Sequence, residues 1–186
     1  MRRIVTALTL AALGLTSVAT ARALPGQRLP VWLAWAKANP ALQTLSHGTD
    51  EMSGGTIYNK HIKAAGMKFY FAAEPGVGDA GGPQTIFSEN LALEGVPDRY
   101  DLRAHREVAA QMAKVVYGSA VGSDVVGAAV AGDFAVFDSP TSHVMILKGK
   151  RYMYLLNGPG FTVSPLSNLA AALKNAKFCA THQCGD

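Results

Sequence analysis

Apolar and polar residues alternate with two different periods along this chain, and each change of period marks an element. Met67, Phe69, Phe71 and Ala73 alternate with Lys68, Tyr70, Ala72 and Glu74, the signature of a strand with one buried face. Ala64-Ala65-Gly66 separates this strand from a second extended run, Thr56 to Lys63, so the two predict a hairpin. Gln84 to Leu93 reads as a third strand. The spacing then becomes helical. Leu102, Ala109, Met112 and Val116 recur on one face, Asp98 and Asp101 sit where N-caps belong, and Gly118 stands where a C-terminal glycine belongs. Nearer the N-terminus, Pro30 to Asn39 predicts a short helix whose Trp32 and Trp35 share a face as core anchors. Leu45 to Gly55 reads as a loop.

After Gly118 the chain turns β-branched and Gly-rich. Phe134 to Phe137 reads as extended, and Val125 to Val130 as either a strand or a short helix capped by Ser123. His143 to Lys148 and Arg151 to Leu156 flank Gly149-Lys150, a pair suited to a two-residue type II′ turn. Pairing across that turn puts His143, Met145, Leu147, Tyr152, Tyr154 and Leu156 on one face, and Val144, Ile146, Met153 and Leu155 on the other. Both faces are apolar, so the hairpin is either covered on both sides or offers its Met/Tyr/His face to a ligand. Ser164-Pro165 opens a last helix with Leu166, Leu169, Leu173 and Ala176 on one stripe. Hairpins in series with segregated helices predict a single α+β domain, an antiparallel sheet with two or three helices packed on it.

Ahead of that domain, residues 1–23 read as a cleavable signal peptide. Arg2 and Arg3 precede an uncharged run from Ile4 to Ala19, and Ala21-Arg22-Ala23 supplies small residues before a cut. The run is shorter than the roughly 20 residues a membrane-crossing helix needs, so no stable span is expected once the signal is gone. Residues 24–186 are then a secreted or periplasmic globular domain. A hydrophobic content of 49% with 16% charged residues excludes a disordered chain. The formal charge of +4 includes Arg2, Arg3 and Arg22, and without them it is +1. So weak a charge gives little pull on phosphate backbones, and no nucleic-acid partner is expected. A local basic cluster, Lys60, His61, Lys63 and Lys68, reads as a hairpin edge guarded by lysines.

In an exported chain, Cys179 and Cys184 with four residues between them predict a disulfide that fastens the tail. With His182 they could instead offer soft metal ligands, but no fourth ligand is evident, and neither metal nor cofactor is expected.

The stretch Gly76-Val77-Gly78-Asp79-Ala80-Gly81 fits the dinucleotide pattern, yet it leads into strand-like Thr85-Ile86-Phe87 where the chemistry requires a helix N-terminus. It reads as a connection, with residues 75–83 a candidate partner-binding tip. His105 falls on the apolar helix face, either as a satisfied core histidine or as a catalytic group. Asp138 to His143 gathers a carboxylate, hydroxyls and an imidazole, without a nucleophile elbow or zinc-protease helix anywhere in the chain. Two function classes follow. The favoured one is a binding or accessory module for a protein or a small apolar ligand, with Met145, Tyr152 and Tyr154 as ligand-binding candidates. The other is a secreted hydrolase-like enzyme using His143 or His105 with Asp138. A pocket holding either histidine within hydrogen-bond reach of a carboxylate and a hydroxyl would favour the enzyme, whereas a packed hairpin would favour binding.

Overall fold

A computed structural model describes residues 25–49, 55–76, 84–97, 100–135 and 143–182. Its elements run α1 (Leu29–Ala38), β1 (Ser46–Thr49), β2 (Thr56–Ala64), β3 (Met67–Gly76), β4 (Thr85–Leu93), α2 (Arg106–Tyr117), α3 (Ser119–Gly127), β5 (Ala129–Ala135), β6 (His143–Lys148), β7 (Tyr152–Asn157), β8 (Gly160–Pro165) and α4 (Leu169–Thr181). The eight strands form one sheet in the order β1-β2-β3-β4-β8-β7-β6-β5, every neighbouring pair antiparallel. This is the expected α+β architecture, with four helices among the described residues where two or three were expected. It consists of two four-stranded meanders. The helical pair α2 and α3 carries the chain to the far edge, and β8 returns to pair with β4.

One sheet face is filled by α1, α2 and α3, whose Trp32, Met112, Val121 and Val125 pack on Phe69, Phe71, Leu91, Leu147, Tyr154 and Phe161. The opposite face of the β5–β7 region is covered by α4, where Ala176 and Leu173 meet Val144, Ile146 and Met153. Both faces of the β6–β7 hairpin are therefore covered, which accounts for its two apolar sides. Away from α1–α3, β2 and β3 carry the polar set that includes Asn59, His61, Lys63, Lys68 and Tyr70. Within it His61 Nδ1 lies 2.7 Å from Glu94 Oε1, while Lys60, on the other face of β2, donates to the Gln43 carbonyl.

Several expectations change. The loop expected at residues 45–55 contains β1, a fully exposed edge strand that no burial pattern could signal. The ambiguous run after Gly118 resolves into helix α3 followed by β5, with the strand beginning before Phe134. Ser164-Pro165, expected to open the last helix, instead ends β8, whose Phe161 and Val163 alternate into the core and pair with both β4 and β7, and α4 begins at Leu169. At the β6–β7 turn the pairs are Leu147↔Tyr154 and Lys148↔Met153, and the Gly149 amide donates to the Tyr152 carbonyl. The turn residues are thus Lys150-Arg151, not Gly149-Lys150, and neither is in the left-handed region that a II′ turn requires. This register differs from the expected one by two residues, an even number, so every side chain keeps its face.

The β2–β3 hairpin turns on Ala65 (φ 51°) and Gly66 (φ 77°), the two-residue I′ arrangement with an alanine where asparagine is preferred. A left-handed L-residue costs about 1–2 kcal/mol. Ala65→Asn should raise stability by about 1 kcal/mol, read as a higher thermal midpoint; an unchanged or lower midpoint would count against this strain.

Candidate functional site

Two polar features interrupt the helix-covered side of the sheet. The first is Glu89, in the middle of β4 and 0% exposed. Its neighbours along that face are Ala73 on β3 and Val163 on β8, so β4 presents a carboxyl where every adjacent strand presents an apolar group. A bulge sets this up: Glu74 pairs with Ser88 but Pro75 with Ile86, leaving Phe87 as the extra residue, 60% exposed, while Ile86 enters the core. Trp32 Nε1–H, from α1, donates to Glu89 Oε1. Tyr117, at the end of α2, lies close enough that each group moves the other's titration. Even so, Glu89 Oε2 and Tyr117 Oη make no hydrogen bond that satisfies distance and angle. Desolvation pushes the Glu89 carboxyl up to about 8, against the smaller lowering effects of Tyr117 and Trp32. At neutral pH Glu89 is therefore mostly a protonated acid, which can accept from Trp32 through one oxygen and offer its proton to Tyr117 from the other.

The second feature is an open groove of about 1190 Å³ beside the β6–β7 turn. Gln27 precedes α1, Ser123 and Asp124 come from α3, and the turn supplies Lys148, Lys150, Arg151 and Tyr152. Asp124 is the organising group. Tyr154 Oη donates to its Oδ2 at 2.6 Å, and the Lys150 amide donates to both carboxylate oxygens at 3.1 and 3.2 Å. Burial, then the Asp124 bond, holds the Tyr154 phenol well above its usual range. Gly149 is needed for this closeness: a Cβ there would press on Asp124 Oδ2 and lie 2.7 Å from Tyr154 Cε2. Lys148, Lys150 and Arg151 are exposed and form no ion pair among the described residues. Lys148, Lys150 and Arg151 thus line the groove without ion-pair partners among the described residues, and its one carboxylate is already engaged by hydrogen bonds.

The chain matches no family model, no curated protein and no solved structure in comparisons with known proteins. Its chemistry has to be read from its own side chains.

The sequence-derived candidates are dispersed. Tyr154 is fully buried with its hydroxyl turned to Asp124, Tyr152 is half-buried at the groove, and Met145 packs against the core. The apolar face they were expected to offer to a ligand is occupied by α1, α2 and α3. His105 is exposed and not on the buried face, because α2 begins at Arg106 and residues 102–105 are turns, so helical stepping back from Ala109 does not reach it. It stacks on Tyr100, with ring centroids 4.9 Å apart at 19°.

His143 is half-buried at the start of β6 and close enough to Asp101 to help lower that carboxyl, after the larger effect of the Arg103 hydrogen bond. Arg103 Nε donates to both Asp101 oxygens at 2.8 Å and its Nη1 reaches Asp133 at 3.3 Å, tying the chain ahead of α2 to edge strand β5. Asp138 lies outside the described residues, as do Cys184, most of the loop 75–83 and the signal-like residues 1–23. No cysteine among the described residues is a free thiol. Among the described residues no cluster of three or more His, Cys, Asp or Glu side chains is arranged to hold a metal, and no helix is long and apolar enough to cross a membrane.

Sequence reading missed Glu89, Asp124 and the three cations. Glu89 had a signal, an acid alternating with Leu91 and Leu93 in a strand. Asp124 had none, because its partners lie 26 and 30 residues away.

Proposed function

We propose that this chain is exported and works as a small binding or accessory module, with the groove at the β6–β7 turn as its binding surface. The observation that carries this reading is the groove itself. Exposed Lys148, Lys150 and Arg151, the Gln27 amide, the Ser123 hydroxyl and the Tyr152 ring line one concavity, and its single acid is engaged by Tyr154 and the Lys150 amide. Groups held ready for an outside partner around a rigid hairpin suit recognition. Export rests on the signal-like residues 1–23 and on Cys179 and Cys184, which we pair as a disulfide.

The competing reading, a hydrolase using His143 or His105 with Asp138, has one observation in its favour: His143 stands near Asp101, at the end of β6 that adjoins the Asp138 segment. His143→Ala leaving every hydrolase assay and the binding of the native partner unchanged would remove it.

The direct test is recovery of the chain from its native extracellular or periplasmic fraction, with intact mass and cross-linking. The expected result is a chain beginning near Leu24, with both cysteines oxidised and a retained partner cross-linked through Lys148 or Lys150. A full-length reduced chain in the cytosol would overturn export, and a partner cross-linked elsewhere would overturn the groove.

A further inference from the structure

The groove carries an ionic signature that narrows what it can hold. Three exposed cations, Lys148, Lys150 and Arg151, line it together with one engaged carboxylate, a local excess of two positive charges on a chain whose formal charge without the signal-like residues is only +1. Arg151 offers a planar fork suited to carboxylate or sulfate oxygens, and the lysines offer point charges that any oxyanion accepts.

The neutral lining combines hydrogen-bonding groups, the Gln27 amide and the Ser123 hydroxyl, with the half-buried Tyr152 ring and the small residues Ala120, Gly127 and Ala129 beside buried Val121. A membrane surface would call for apolar side chains among the cations. The large exposed ones among the described residues are Val31, Leu33, Phe87, Val126, Val130 and Phe178, and none of them lines the groove. A peptide held in a groove is anchored by pockets for large apolar side chains, whereas the apolar lining exposed here is Ala120 and Ala129, with Val121 buried. At about 1190 Å³ and open to solvent, the groove also exceeds the roughly 300–1,000 Å³ that encloses a single small ligand.

We propose that the groove of Lys148, Lys150, Arg151, Gln27 and Ser123 binds an anionic oligosaccharide, the cations taking its carboxylates or sulfates and the amide and hydroxyl taking its neutral hydroxyls. This rests on the binding-module reading and names its ligand class.

The test is titration calorimetry and amide-shift mapping of the native chain against oligogalacturonate, a heparin-derived oligosaccharide, a neutral malto-oligosaccharide and phosphatidylglycerol vesicles. Oligogalacturonate and the heparin oligosaccharide separate carboxylate from sulfate recognition, and binding of either supports the proposal. The expected result is saturable, salt-sensitive binding to at least one of them, with shifts at residues 148–152 and 123, and no binding to the neutral sugar. Lys150→Glu with Arg151→Glu should weaken it about tenfold or more. Because both side chains are exposed, the thermal midpoint should not move. Should that variant fail to fold, Lys150→Gln with Arg151→Gln is expected to weaken binding in the same direction and to flatten its salt dependence.

The proposal falls if the neutral sugar binds equally, if vesicles bind at least as tightly as the anionic sugars, if both charge variants bind normally, or if no anionic sugar binds. In that last case a native partner cross-linked through Lys148 or Lys150 would leave the binding reading standing and dismiss only the ligand class.

Discussion

Raising the pH from 5 to 8 should destabilise this protein, and Glu89→Gln should abolish most of that loss. Glu89 titrates near 4.5 when exposed and is pushed up to about 8 by complete burial in the folded chain. Between those values the folded state holds a proton that the unfolded state has released, so stability is full below the lower value and falls as pH rises. The slope approaches about 1.4 kcal/mol per pH unit and flattens above the upper value, where both states are ionised. Glutamine keeps an acceptor for Trp32 Nε1–H and supplies an N–H toward Tyr117 Oη, so the variant should match the parent at pH 5 and exceed it at pH 8. Chemical denaturation at several pH values, followed by tryptophan fluorescence, reads this directly. Parallel pH profiles for parent and variant would show that Glu89 is not the titrating group.

Gly149→Ala should cost about 3 kcal/mol, more than a methyl added to an exposed turn ordinarily does. The added carbon displaces Asp124, so the bonds from Tyr154 Oη and the Lys150 amide are lost together, one of them from a fully buried residue. A double-mutant cycle isolates the cause. Asp124→Ala already gives up those bonds, and Gly149→Ala added to it should cost clearly less than in the parent, the difference being the coupling between the two sites. Additive costs in denaturant unfolding would place the role of Gly149 elsewhere. Because the pair shapes the groove, the single glycine substitution should also weaken whatever binds there.

Much of the secondary structure could be read because burial leaves a periodic trace. The alternation from Met67 to Glu74 became β3, the Pro30 helix became α1 with Trp32 at the centre of the core, and the helix ending at Gly118 became α2. The trace fails where burial is absent or the period breaks. Exposed β1 left none, and His105 was placed by helical geometry in a segment that is not helical. The hairpin faces were assigned correctly although its turn was not, because side-chain orientation depends only on parity.

What the chain's local order determined by itself is its α+β class, most of its strands and helices, and the two-sided apolar character of the β6–β7 hairpin. Period and turn chemistry are properties of neighbouring residues, so they can be read in line. Which groups would share a site was decided only by the tertiary structure. The antiparallel sheet and the helices on its faces bring Glu89 to Trp32 and Tyr117, and Asp124 to Tyr154 and the Lys150 amide, across separations of 26 to 57 residues for the hydrogen-bonded pairs. A carboxyl's proton affinity and a groove's charge depend on neighbours in space, and those neighbours exist only once the chain has folded.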